Sequence, residues 1–159
     1  MARHDAIVSW TSDGNFLSGK YSRGHEWRFD GGAVVRGSSS PSVVPLPMSD
    51  PAGVDPEEAL VASASSCHML WFLALAQNAG LDVLSYRDEA VGQMGKDERG
   101  RISLTRITLR PQIVFAGRQP NEQELEELHH QAHEKCFIAN SLRSEIVVER
   151  ATERSQNAA

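Results

Sequence analysis

The longest apolar stretch of the chain, residues 55–80, constrains what the chain can fold into more than any other segment. Its first residue, Asp55, suits a helix N-cap, and Pro56 suits the first helical position. The two glutamates that follow would lie near the positive end of the helix dipole. An Asn-Ala-Gly sequence, a common helix stop, closes the stretch. The pattern predicts one long helix that ends at about Gln77 and carries Cys67 at its middle.

This helix is apolar on nearly every side, and small residues occupy positions 62–66 beside Cys67. Small side chains let a neighbouring backbone approach closely, and a helix that is apolar all round must be surrounded. A single chain of this size with few other helices would not cover it, which favours a homodimer. The stretch approaches the length of a membrane span, but its polar residues would then lie near the bilayer centre, so we predict a buried core helix. These polar residues are Ser63, Ser65, Ser66 and His68.

Composition bounds the class of protein. A chain of 159 residues, 40% of them hydrophobic, is predicted to form one domain over residues 1–159, with a core at about 5–150 and a polar tail at 152–159. The net charge of −5 argues against nucleic acid or a membrane as partner, because nucleic acids and anionic membranes select basic surfaces. The N-terminus has no apolar segment typical of a signal peptide, so we expect a cytoplasmic protein with reduced thiols.

The N-terminal third is predicted to be an antiparallel meander. Residues 5–11 read as a strand, an Asp-Gly turn follows, and residues 16–21 return as a second strand. The stretches 25–29 and 33–37 read as further short strands. Residues 38–54 carry four of the seven prolines and are expected to be a loop, which is either a plain linker or a functional segment.

The second half is predicted to add a hairpin, a helix and a strand. Two long antiparallel strands, 81–94 and 101–115, flank a charged turn. A helix follows from Glu122 to about Phe137, capped by Asn121, with a short helical continuation, and a last strand begins at residue 145. The whole is an α+β plan with helices on one side of antiparallel sheets.

The two cysteines leave two interpretations open. Cys67 in an apolar helix can be an inert buried thiol, as most such cysteines are. Against this, three serines lie next to it where alanine or leucine would pack as well, and Cys136 lies near the end of the second helix. Two cysteines on different core helices can form a reversible disulfide if their Cα atoms approach within about 6 Å.

A metal site is a further alternative. His129, His133 and Cys136 share one face of the second helix, and with Cys67 and His68 they could hold zinc. The chain has no CxxC or HExxH pattern, so solvated histidines are the commoner explanation.

A reactive thiolate would need charged neighbours. Arg23, Arg28 and Arg36 lie in the meander and Glu57 begins the central helix, although each could be an ordinary surface charge. Glu57 precedes Cys67 by ten residues, which on a continuous helix is about 15 Å along the axis. It could therefore act only through a long side chain, such as an arginine, or on the thiol of another subunit.

The residues at 55–67, DPEEALVASASSC, resemble the helix signature of the OsmC/Ohr family of thiol peroxidases, and Cys136 in AHEKCFIANSL is similar to the family's second cysteine. The order of elements also matches, so the resemblance covers about residues 5–150. It implies an OsmC-like intertwined homodimer, antiparallel sheets with two central helices and sites at the subunit interface. It implies no cofactor and no metal.

Carried over residue by residue, the resemblance implies that Cys67 is the peroxidatic and Cys136 the resolving cysteine. Glu57 would be the carboxylate that holds an activating arginine, for which Arg23 is the best match and Arg28 and Arg36 are alternates. The chain departs from the hydroperoxide-resistance branch in having Cys-His-Met-Leu-Trp at 67–71 and in the long loop at 38–54. Candidate pocket-wall residues are Met48, Met69, Trp71 and Phe72.

The implied activity is reduction of organic hydroperoxides, and of hydrogen peroxide as a further substrate, through a sulfenic acid and then a Cys67–Cys136 disulfide. An external dithiol (a lipoylated protein, thioredoxin or a small thiol) would reduce the disulfide. The remaining alternative is a non-catalytic binding protein of the same fold in which Cys67 is only packing.

Overall fold

The computed structural model describes residues 1–149, and the chain divides into two compact units, residues 1–59 and residues 60 onward. The predicted polar tail at 152–159 lies outside the described residues. The predicted α+β class is confirmed: strands precede a long helix, and further strands and helices follow it.

The first unit is a three-stranded antiparallel meander in the order β1-β2-β3. Its strands are β1 (Ala6–Ser9), β2 (His25–Phe29) and β3 (Val34–Gly37). The prediction of a strand at 16–21 is wrong, because Phe16–Ser18 forms a short 3₁₀ helix. The rings of Trp10, Phe16 and Tyr21 pack with centroids 5.0–5.7 Å apart. This aromatic cluster folds the segment back on itself instead of extending it.

The predicted loop at 38–54 is present and is tied to β3 at its end. The N–H of Val54 donates to the carbonyl of Arg36 (2.9 Å), and the N–H of Ser38 donates to the carbonyl of Val54 (3.1 Å). Within the loop, the N–H of Asp50 donates to Oγ of the buried Ser38 (2.9 Å). These bonds bring the loop back to the strand from which it leaves.

The long helix, α1 (Pro56–Asn78), begins where predicted. Asp55 and Glu58 form a reciprocal capping box, in which Oδ1 of Asp55 accepts from the N–H of Glu58 (2.7 Å) and Oε2 of Glu58 accepts from the N–H of Asp55 (3.1 Å). The helix ends one residue after the predicted Gln77. Gly80, with φ +72°, allows the chain to turn there, since residues with a side chain rarely adopt this conformation.

The second unit contains the predicted hairpin, but each of its strands is divided in two. The strands are β4 (Asp82–Asp88), β5 (Val91–Lys96), β6 (Ile102–Leu109) and β7 (Pro111–Ala116), with β4 antiparallel to β7 and β5 antiparallel to β6. The N–H of Arg110 donates to the carboxylate of Asp88 (2.6 Å) instead of to the ladder, and Pro111 has no N–H to give. A last strand, β8 (Glu145–Val148), pairs parallel to β6.

The two remaining helices are α2 (Glu122–Lys135) and α3 (Phe137–Ser141). As predicted, Asn121 caps α2, its Oδ1 accepting from the N–H of Glu124 (2.8 Å). α2 ends before the predicted Phe137 because Cys136 has extended backbone angles and caps α3 instead.

The apolar core lies in the second unit. Its larger cluster joins α1, α2 and the strands β4 and β7, and its buried members are Phe72, Ala76, Leu81, Leu128 and Ala132. The smaller cluster has Ala64, Ile107 and Leu109 at its centre. Among the described residues α1 is long and apolar enough to match a bilayer span, yet it buries a stripe at four-residue spacing against its own unit. That stripe consists of Ala64, His68, Phe72 and Ala76.

Candidate active site

The structure brings the two cysteines together. Cys67 lies in the middle of α1 and is half-buried, whereas Cys136, between α2 and α3, is 1% exposed. Both are free thiols, and they lie close enough for Cys67 to raise the pKa of Cys136. The two predicted reaction partners are therefore in contact without being oxidised.

The thiol of Cys136 is held in its protonated form. Burial is the larger cause and the contact with Cys67 the next, and together they raise the pKa of Cys136 to about 11. Its Sγ accepts from the N–H of Ala139 (3.4 Å), and this bond and one from Ile138 act in the opposite direction. At neutral pH Cys136 thus carries its proton.

Two aromatic side chains near the cysteines in the sequence pack against each other. Trp71 lies one turn after Cys67 and packs edge-on against the ring of Phe137, with centroids 5.6 Å apart. Nζ of Lys135 lies 5.7 Å from the centroid of the Trp71 ring. Phe72, one of the four predicted wall residues, is instead fully buried in the core. Met69 and Trp71 are half-buried on α1, and Met48 is half-buried in the first unit.

Arg23 differs from the other two predicted arginines in its contacts. Its guanidinium lies 3.5 Å from the centroid of the Tyr21 ring, and it donates to the carbonyl of Tyr21. Its own N–H donates to the carbonyl of Met48 (2.7 Å), and its carbonyl is bonded to Nδ1 of His25 (2.8 Å). Within residues 1–149 Arg23 forms no ion pair, so its charge is not neutralised by a local carboxylate.

The alternates each have a carboxylate partner. Arg28 pairs with Glu26, and Arg36 pairs with Asp50, with 2.5 Å between nitrogen and oxygen in both cases. Both arginines are largely exposed. Glu57, the predicted holder of the arginine, is half-buried in the first turn of α1 and is not the residue that forms the capping box.

The structure does not favour the alternative of a zinc site on the face with His129, His133 and Cys136. Within residues 1–149 no three His, Cys, Asp or Glu side chains are arranged to hold a metal ion. The reason is local: His129 turns into the core, where its Nδ1 bonds to Nε2 of His68 (3.0 Å). Its neighbour His130 is exposed and lies 3.5 Å from Glu134.

The sequence interpretation missed a half-buried polar group between α1 and β4. Oδ2 of Asp88 accepts from Oγ of Ser65, one of the serines that the sequence left unexplained. The hydroxyl of Tyr86 is buried, and burial together with Asp88 raises its pKa. Burial lowers the pKa of His68 to about 4; His133 acts in the same direction and Asp88 opposes it. The serines gave the only sequence signal for this group.

Fold and site together define a class: an α+β protein with paired free thiols on two core helices. The OsmC-like protein family model matches residues 49–150. This chain belongs to the OsmC family.

Solved structures agree. An OsmC-like protein of unknown function from Vibrio cholerae is 52% identical, with a TM-score of 0.92 over 94% of this chain and 99% of that one. An organic hydroperoxide resistance protein from Elizabethkingia anophelis is 18% identical, with a TM-score of 0.68 over 94% of both chains. OhrB of Bacillus subtilis, an organic hydroperoxide resistance protein, is 19% identical, with a TM-score of 0.59 over 92% of this chain and 96% of that one. The last two similarities show the fold alone. No curated protein sequence matches significantly.

Proposed function

We propose that this protein is a cysteine-based peroxidase that reduces organic hydroperoxides through Cys67 and Cys136. The observation that carries the proposal is that two free thiols lie close together in an OsmC-family chain, one in the middle of α1 and one directly after α2. Two proteins with the same fold are named organic hydroperoxide resistance proteins, which supports the substrate class.

The reaction follows from thiol chemistry. The thiolate of Cys67 attacks the O–O bond, forms an S–O bond and becomes a sulfenic acid, while the alkoxide takes up a proton and leaves as an alcohol. Cys136 then attacks the sulfenic sulfur, and the disulfide forms as water is lost. Two electrons thus pass from the thiols to the peroxide. An external dithiol, either on a lipoylated protein or in a small molecule, returns them by thiol–disulfide exchange. A cytoplasmic location would supply such reductants.

The different surroundings of the two sulfurs support this assignment of roles. Cys67 is the half-buried one, so a peroxide can approach it from solvent. Cys136 is 1% exposed, and its raised pKa keeps it protonated until the sulfenic acid has formed.

We propose Arg23, held by Glu57, as the cation that activates Cys67. Its support is its free charge, since Arg28 and Arg36 are each paired with a carboxylate within their own unit. A guanidinium remains charged at all relevant pH values and has several donors for a thiolate and a peroxide oxygen.

We further propose that the working form is a homodimer. In the first unit Ile7 and Val8, which are neighbours on β1, are 63% and 65% exposed. Successive residues of a strand point to opposite faces, so both faces of this sheet present apolar side chains to solvent. Large exposed apolar patches of this kind mark association surfaces.

The test is a single turnover of the reduced protein with cumene hydroperoxide. The wild type should lose both thiols and form one disulfide per chain. Cys136→Ser should lose its one thiol and give a sulfenic acid that dimedone traps, whereas Cys67→Ser should keep its thiol and consume no peroxide.

Retention of both thiols in the wild type, or peroxide consumption by Cys67→Ser at the wild-type rate, would refute the proposal. Resistance of native Cys67 to alkylation would instead favour a binding protein in which this thiol is only packing.

A further inference from the structure

Two imidazoles meet inside the core at the contact between α1 and α2. His68 is 1% exposed and His129 is 8% exposed. Nε2 of His68 lies 3.0 Å from Nδ1 of His129, the rings are within 10° of parallel, and their centroids are 5.3 Å apart. This is the geometry of two nearly coplanar rings that share an in-plane N–H···N bond, not of rings stacked face to face. Phe72 supports the pair, its ring centroid 4.5 Å from that of His129.

Holding α1 and α2 together does not by itself require a buried polar pair, which has a free-energy cost. Buried polar groups weaken a core unless each is hydrogen-bonded, and Nδ1 of His68 is buried without a partner in the part of the chain that the structure describes. Leucine at both positions would fill the space without that cost. The apolar residues around the pair already hold α1 against α2, and they are Phe72, Ala76, Leu128 and Ala132.

A hydrogen bond supplies what apolar contacts lack, which is direction. Apolar burial depends on area and tolerates sliding and rotation, whereas a bond between two ring nitrogens is made in one relative placement. A single buried polar contact between helices is the best-attested device for setting register. The His68–His129 bond therefore fixes where α1 lies along α2.

The same two helices carry the two thiols. His68 directly follows Cys67 on α1, and His129 lies on α2 about two turns before Cys136, which directly follows the last residue of that helix. A slip by one helical turn would move one sulfur about 5.4 Å past the other. A disulfide forms only within a narrow range of Cα separation and of dihedral angle. The placement of Cys136 against Cys67 thus depends on the register that the imidazoles set.

We propose that His68 and His129 are positioning residues that hold Cys136 against Cys67 for disulfide formation. This inference rests on the proposed function, but it concerns the second chemical step alone. The pair acts through the two helices and leaves the first step, attack of Cys67 on the peroxide, unchanged.

The test compares variants that keep or remove the bond. His129→Asn places an amide nitrogen close to the position of Nδ1 and keeps it, whereas His129→Leu removes it. His129→Gln keeps a buried amide but carries it one bond too far. His130→Leu, on the exposed side of the same helix, is the matched control.

Two rates are followed in a single turnover with cumene hydroperoxide: sulfenic acid formation, by dimedone trapping, and disulfide formation, by mass spectrometry. His129→Leu should form sulfenic acid at the wild-type rate and close the disulfide about 10- to 100-fold more slowly, because small misplacements of reacting groups have effects of this size. His129→Asn should restore closure, and His130→Leu should match the wild type.

A second measurement separates this inference from the peroxidase proposal. In a glutathione redox buffer without peroxide, the equilibrium between the two thiols and the Cys67–Cys136 disulfide can be measured. Its constant gives the effective concentration of the Cys136 thiol near the Cys67 thiol. His129→Leu should lower that concentration about tenfold or more. If His129→Leu does not fold, His129→Gln should show the loss relative to the folded His129→Asn.

The inference would be overturned if His129→Leu formed the disulfide at the wild-type rate and had the wild-type effective thiol concentration. Where His129→Leu does not fold, the same result in His129→Gln would overturn it. If the wild type forms no sulfenic acid, the peroxidase proposal fails, and the glutathione measurement still decides whether the imidazoles position the thiols.

Discussion

Acid should destabilise this protein through His68. Burial lowers the pKa of His68 from 6.5 to about 4, with a further lowering by His133 and an opposing effect of Asp88. In the unfolded chain the ring returns to its ordinary pKa. Above pH 6.5 neither state binds the proton, so His68 contributes no pH dependence. Between pH 6.5 and 4 the unfolded state binds a proton that the folded state does not, and the free energy of unfolding falls.

The expected loss is about 3 kcal/mol between pH 7 and pH 4, since each pKa unit corresponds to about 1.4 kcal/mol. Below pH 4 both states are protonated and the contribution of His68 levels off. The sign follows from the lowered pKa: the stability is present above the unfolded value and is lost as the pH falls towards the folded one.

The assay is urea denaturation at fixed protein concentration and several pH values between 7.5 and 4, for the wild type and for His68→Gln. Glutamine places an amide near the position of Nε2 but does not titrate. The other ionisable groups around His68 are Asp88 and Tyr86 on β4 and His129 and His133 on α2, and they remain in both proteins. The difference between the two proteins in the free energy of unfolding, plotted against pH, therefore gives the contribution of His68. A difference between the two proteins that stays constant with pH would refute the reasoning.

Two glycines offer further tests by urea denaturation. Gly37→Ala would place a Cβ 2.4 Å from Nε2 of His25, so we expect a displaced imidazole and a loss of about 1–3 kcal/mol, whereas Gly31→Ala, with open space around it, should change little. Gly92→Ala would place a Cβ 2.6 Å from Cγ2 of Val61, and we expect a loss of similar size. Equal stabilities of Gly37→Ala and Gly31→Ala, or an unchanged Gly92→Ala, would contradict these packing arguments.

The helices could be predicted well because the residues that start them form bonds within a few positions of the sequence. Asp55 and Asn121 cap α1 and α2 through bonds to residues three positions on, so both starts could be read from the sequence. The same applies to the charged turn between β5 and β6, where the N–H of Gly100 donates to the carbonyl of Asp97. Where the structure departed from prediction, the cause was distant in sequence. The hairpin strands are divided because Arg110 donates to Asp88, 22 residues away.

The strand prediction for residues 16–21 was wrong for a related reason. Its composition suits a strand, but Phe16 and Tyr21 pack against Trp10, and that aromatic contact overrides the local preference. A strand at 16–21 would have directed the two rings according to the strand period instead of towards one neighbour. Pattern alone does not reveal such a cluster.

In the candidate site, too, the features set by nearby residues were predictable, and those set by distant residues were not. The spacing of Asp55, Pro56 and Cys67, with Cys136 in the second helix, was enough to indicate the family and the thiol pair. The pairing of His68 with His129 was not accessible, because nothing local distinguishes a histidine that turns into the core from one that faces solvent. His129 and His130 are adjacent, and their surroundings differ completely.

The Cys-His pair at 67–68, first noted as a departure from the hydroperoxide-resistance branch, has a physical explanation in the geometry of α1. Adjacent helical residues point about 100° apart, so Cys67 and His68 meet different residues, Cys136 and His129. His68 lies on the buried stripe, and Cys67 lies beside it where solvent and Cys136 both reach it. One helix thus presents the sulfur of Cys67 on one side and bonds to α2 through His68 on the next. A bulky apolar residue after the cysteine would fill the core but leave the register of the two thiols to non-directional packing.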